Sequence, residues 1–156
     1  MKKLTDTILR EVGALTRTIH AIVEIKFKAL ELQKGQSIYL TRICEHPGIN
    51  MKELSQLLAV DKTTASKVVQ KLINRGFVDK RQSSSDKRAF PLFPTPKAIK
   101  AYDVIIEEEN RLTAQCYTGF DKEQQAEVLE LIHQMRKNIE KDWFDLKNYK
   151  GKGDSP

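Results

Sequence analysis

Leu4, Ile8, Val12, Leu15, Ile19, Ile22, Val23, Phe27 and Leu30 recur three or four positions apart, the period of one helix face. The spacing predicts a long first helix, interrupted at Gly35. Gln36 to Glu45 reads as a short second helix, stopped by Pro47 and Gly48 because neither readily continues a helical backbone. Asn50 and Glu53 have the spacing of a capping box that opens a third helix through about Leu58. Asp61 can cap a fourth helix from Lys62 to Arg75, ended by Gly76, which tolerates a left-handed backbone. Two short helices around the tight Ala59-Val60-Asp61 turn make a helix-turn-helix outline.

The pattern then changes. Phe77 to Gln82 reads as a strand, residues 83–88 as a polar loop, and Ala89 to Phe93 as the returning strand. Pro91 has no amide to donate, which places that strand at an edge. Thr95-Pro96 supplies a cap and a first-turn proline for a fifth helix toward Tyr117, broken by Gly119. Asp121 and Gln124 repeat the capping box and open a last helix whose apolar face includes Val128, Leu131, Met135, Ile139, Trp143 and Leu146. Residues 151–156 read as a flexible tail. The expected fold class is mainly α with a small β-hairpin.

Charge adds a location. From Lys62 to Lys100 the chain has ten Lys or Arg against Asp79 and Asp86, a net +8, although the whole chain is only +6. More than all of the excess positive charge thus sits in this window, which spans one helix, the hairpin after it and the start of the fifth helix, a footprint for duplex DNA. The 156 residues suit one domain, and 31% charged with 7% aromatic residues fits a helix-rich globular protein. Cys44 and Cys116 make neither a disulfide framework nor a CxxC pair, consistent with a reducing compartment. Asp6, Arg10 and Glu11 interrupt any signal-peptide core, and no apolar run approaches a membrane span, so a cytoplasmic protein without a membrane partner is expected.

On the fourth helix Ala65, Val68, Val69, Leu72 and Ile73 form the apolar face, leaving Lys62, Thr63, Ser66, Lys67, Gln70 and Lys71 opposite and Thr64 near the exposed start. Such residues read base edges in a major groove: lysine bonds to guanine and threonine touches the thymine methyl. Lys52, Ser55, Gln56, Lys80, Arg81 and Lys87 are candidates for phosphate contacts. No Gly-rich phosphate loop, nucleophile elbow or metal-ligand spacing is visible, so neither an enzyme nor a metal or cofactor is expected. Cys44, with only His46 beside it, reads as a packed, inert thiol, a redox sensor being the competing reading, and Cys116 reads as core.

The order of long helix, short helix, helix-turn-helix, charged hairpin and two further helices resembles the MarR family of winged-helix regulators, especially its SlyA-like branch. The resemblance is carried most specifically by the Asp-x-Arg pattern within Arg81-Gln82-Ser83-Ser84-Ser85-Asp86-Lys87-Arg88, and also by Leu32 to Leu40 around Gln36. The chain departs at Phe93-Pro94-Thr95-Pro96-Lys97-Ala98, keeping the threonine cap but not the family's Lys-Gly pair.

The resemblance implies a winged-helix domain over residues 1–150, with the helix-turn-helix at 50–75, a wing at 77–93 and dimerisation helices at 1–31 and 96–148. It implies a homodimer on double-stranded DNA and a pocket for a small-molecule effector that no residue names. It also implies that Arg88 enters the minor groove from the wing tip, where the potential is most negative. Asp86 then either orients Arg88 or starts the turn. The function expected is a sequence-specific, ligand-responsive repressor on a pseudo-palindromic operator. A module docking an acidic protein through the same basic face is the alternative.

Overall fold

The computed structural model describes residues 3–82 and 90–150, with side chains to Leu146. The described elements are α1 (Ile8–Lys26), a tighter 3₁₀ turn (Phe27–Leu30), α2 (Gln36–Glu45), α3 (Met51–Leu57) and α4 (Lys62–Asn74). Strands β1 (Val78–Lys80) and β2 (Leu92–Pro94), then α5 (Pro96–Cys116) and α6 (Lys122–Lys150), complete them. The protein is mainly helical with one two-stranded antiparallel hairpin, in register Val78 with Pro94 and Lys80 with Leu92.

The predicted caps form. Asn50 Oδ1 accepts from the amides of Lys52 and Glu53 while Glu53 accepts from the Asn50 amide at 3.0 Å. Asp61 accepts from the Thr64 amide at 2.8 Å, Thr95 from that of Ala98 at 3.3 Å, and Asp121 from that of Gln124 at 2.8 Å. Each satisfies amides that a helix N-terminus leaves without an internal partner.

α1 is shorter than the apolar spacing predicts. Asp6 accepts from the Ile8 amide at 2.7 Å, so the helix opens there and leaves Leu4 outside. At its other end Phe27, 4% exposed, turns into the core, the winding tightens, and the chain reverses at Glu31 with φ 59°.

α2 lies at the centre, against α3, α4, α5 and β2, and buries Tyr39, Leu40 and Ile43. Leu54 of α3, Val69 and Leu72 of α4, Phe77, Leu92 and Ile105 of α5 close over it to form one apolar cluster. The hairpin is shorter than expected, and β2 is not left open at Leu92. Leu92 donates to Ile49 at 3.0 Å and accepts from Gly48 at 2.7 Å, so its backbone is satisfied on the side away from β1. Gly48 has φ 90°, and a Cβ there would meet the Phe93 ring at 3.6 Å.

α1 reaches this core through half-buried Val23 but has no fully buried residue, and no described α6 side chain is part of it. Leu9, Ile25 and Leu129 are 70%, 78% and 65% exposed, an apolar surface that the chain alone does not cover. Cys116, expected in the core, is exposed, at the last residue of α5, where it lines a cavity shared with α1 and α6. Among the described residues no helix is long and apolar enough to cross a membrane.

Candidate nucleic-acid interface

α4 stands on Ala65, Val69 and Leu72, all wholly buried. The period of the helix turns Lys62, Thr63, Thr64, Ser66, Lys67, Gln70 and Lys71 outward, and all seven are exposed. Asp61 stays an anion, its pKa lowered by hydrogen bonds from the Thr64 hydroxyl and amide. The Thr64 hydroxyl therefore donates to Asp61, leaving its methyl group and a lone pair to face a partner. Gln70 donates to Asn74 at 2.8 Å, which orients its amide along the helix.

Lys52 and Gln56 on α3 are exposed beside this face. Ser55 is a correction: it is 3% exposed, and its hydroxyl donates to the Lys52 carbonyl at 2.9 Å, so its side chain is not open to phosphate. Sequence periodicity missed this because a short polar residue can turn back on its own helix and pack as a small one.

In the hairpin stem the ammonium group of Lys80 lies 4.8 Å from the Phe90 centroid and the guanidinium of Arg81 lies 4.6 Å from that of Phe93. Arg81 also pairs with Asp79 at 3.6 Å. The aromatic rings hold two cations at the base of the hairpin, a role that their sequence positions alone did not indicate. Asp86, Lys87 and Arg88 lie outside the described residues.

Two members of the basic window are engaged internally. Lys97 pairs with Glu31 at 2.9 Å and lies 4.4 Å from the Phe77 centroid, while Arg75 donates to the Glu31 carbonyl. The burden of an external polyanion contact therefore shifts to α4, α3 and the hairpin.

α1, the 32–38 segment, α5 and α6 line a partly open cavity of about 760 Å³, with mainly apolar side chains such as Ile19, Val23, Phe27 and Leu112. Its charged rim includes Glu24, paired with Lys34 at 3.5 Å, and Glu109, whose pKa is raised, chiefly by burial. The volume suits a drug-sized ligand.

The comparisons agree with this architecture. The MarR family model matches residues 32–90. The HTH-type transcriptional regulator YybA of Bacillus subtilis is 40% identical over 142 residues, 91% of this chain and 95% of the relative. The chain belongs to the MarR family. A solved MarR protein from Peptoclostridium difficile has 51% identity and a TM-score of 0.88, covering 94% of this chain and 95% of that one. A MarR family transcriptional regulator from Listeria monocytogenes, solved in complex with 26mer DNA, has 35% identity and a TM-score of 0.87, covering 100% and 99%. This MarR-family regulator thus has the mainly helical winged-helix fold of its structural neighbours, with α3 and α4 either side of the tight turn.

Its thiols differ in accessibility. Cys44 is half-buried, and burial first, then Glu45 and Asp103, push its pKa up to about 11. The raised value leaves on the order of one thiolate in a thousand at about pH 8. Iodoacetamide at that pH is expected to modify exposed Cys116 first and Cys44 at least tenfold more slowly. Mass mapping that finds Cys44 labelled as fast as Cys116 refutes an inert Cys44.

Proposed function

We propose that this protein is a homodimeric, sequence-specific double-stranded DNA-binding regulator of the SlyA-like branch, acting as a ligand-responsive repressor on a pseudo-palindromic operator. The observation that carries the reading is the outward face of α4, with Lys62, Thr63, Ser66, Lys67, Gln70 and Lys71 exposed over a wholly buried opposite face. Lysines supply phosphate attraction and guanine contacts, while Thr63, Ser66 and Gln70 supply short-range hydrogen bonds to base edges. The Listeria relative solved with DNA supports the same partner for this chain.

The exposed apolar residues of α1 and α6 favour a second copy as the cover for those helices, and a two-fold dimer brings two α4 helices to successive turns of one duplex. Residues 50–75 then serve as the reading motif, 77–93 as the wing, and 1–31 with 96–148 as dimerisation helices. Asp86, Lys87 and Arg88 are the proposed wing-tip contacts. The apolar cavity between α1, α5 and α6 is the proposed effector site.

Selection from a random duplex pool with the full chain tests the proposal. The expected product is a sequence with two related half-sites about ten base pairs apart, bound at about 10⁻⁸ M or tighter near physiological salt and losing affinity steeply as salt rises. Enrichment of no sequence, with affinity held at about 10⁻⁴ to 10⁻⁶ M, would favour docking to an acidic protein.

A further inference from the structure

Glu31 binds two members of the basic window at once, and its backbone is unusual. Its φ of 59° and ψ of 19° are left-handed, a conformation that a side chain with a Cβ adopts at a cost. Two links tie it to the neighbouring helix ends, and a third joins the two donors. Its carbonyl accepts from the Arg75 guanidinium, at the C-terminal cap of α4. Its carboxylate accepts from Lys97 Nζ at 2.9 Å, in the first turn of α5. The same Nζ donates to the Arg75 carbonyl at 3.2 Å, closing the triangle. Lys97 and Arg75 keep the Glu31 carboxyl below the usual carboxylate range.

The residues that follow, Leu32, Gln33, Lys34 and Gly35, line the cavity. Gly35, with φ 73°, makes the second left-handed corner of this segment before α2 begins. One short stretch of backbone therefore faces the cavity along one side and grips the end of α4 at its beginning. A ligand that moves this stretch acts on residue 31, whose left-handed backbone is tied to the ends of both α4 and α5.

We propose that Glu31 is a positioning residue that couples the cavity wall to the C-terminal end of α4, so that occupancy of the cavity is transmitted to the helix that faces DNA. The inference rests on the DNA-binding and effector readings above. It names their connection as the Glu31–Arg75–Lys97 clamp, a local element with a held and a released state.

Electrostatics gives the test an unambiguous sign. Glu31→Ala removes a negative charge from a protein that binds a polyanion, so the field alone raises affinity. The clamp demands the opposite: about three- to tenfold weaker binding to the selected duplex. Glu31→Gln changes the charge equally but keeps an acceptor for Lys97, and is expected to recover most of the loss. Hydrogen exchange at the Gly76 and Phe77 amides, which close the end of α4 on Ile73 and Leu72, should quicken in Glu31→Ala even without DNA.

Coupling to the cavity is read by Thr113→Trp, which places a ring at the cavity wall. It should shift DNA affinity in the wild-type background and leave it within about twofold in the Glu31→Ala background. Unchanged or tighter binding by Glu31→Ala, unchanged exchange, or the same Thr113→Trp effect in both backgrounds overturns the proposal. A wild type that selects no sequence overturns the DNA reading instead, and hydrogen exchange alone then decides the clamp.

Discussion

Lys67→Glu is expected to weaken binding to the selected duplex by about a hundredfold or more, with little change in thermal stability. Lys67 is exposed on the outward face of α4, one turn after Thr63 and one before Lys71, and none of the ion pairs among the described residues uses it. Its charge is therefore free for an external partner, and its removal leaves no buried group unsatisfied. Losing one good base or phosphate contact costs about 1–3 kcal/mol, and placing a carboxylate against phosphate adds like-charge repulsion. In a dimer the change occurs twice.

The matched control is Lys100→Glu, an identical change of charge on exposed α5. If distant field dominates, the two variants fall together. If α4 reads the duplex, Lys67→Glu falls much further and also lowers the salt slope, by about one unit per lost phosphate contact. Fluorescence anisotropy across a salt series separates the outcomes, and equal losses would remove α4 as the reading surface.

Leu72→Ala should have the largest effect on stability, about 2–5 kcal/mol out of a total of about 5–15 kcal/mol. Leu72 is wholly buried beneath α4, where that helix packs on α2, α3 and β1. Truncation removes its transfer free energy and leaves a cavity among side chains held by several elements, so collapse into the space is limited. For a chain of this size the melting temperature should fall by roughly 4–20 °C.

Ile25→Ala supplies the contrast. Ile25 is 78% exposed, so its loss leaves the core of one chain intact. A dimer that covers α1 predicts weaker self-association for this variant by analytical ultracentrifugation, with the fold retained. Unfolding of Leu72→Ala within about 1 kcal/mol of wild type would contradict the packing assigned to α4.

Much of the fold was legible because its signals are local. The stripe Ala65, Val69 and Leu72 on α4 repeats at helical spacing and lies buried as that spacing requires. The exposed polar residues opposite it follow from the same geometry. Ser55 was not legible, since its burial depends on how α3 seats against its neighbours and on a hydroxyl that turns inward. Cys116 failed for the complementary reason: its helical spacing is apolar, but it lies at the edge of the cavity, exposed, and not in the packed core. The start of α1 was misplaced because the apolar repeat at Leu4 continues past Asp6, whose side chain sets the first helical amide.

The candidate site divides in the same way. Which α4 residues face outward is a property of the helix period, and so was contained in the sequence. Which cations remain available is not. Lys97 and Arg75 belong to the same basic window as Lys67, yet both are occupied by Glu31.

The order of residues by itself determined where α3, α4 and α6 start, because a cap is a contact between neighbours: Asn50 with Glu53, Asp61 with Thr64, Asp121 with Gln124. Only the tertiary structure decided how the basic window is divided between internal clamp and open face. Glu31 and Lys97 are 66 positions apart, and an ion pair across that separation exists only once the packing of α2 against α4 and α5 has brought the two ends together.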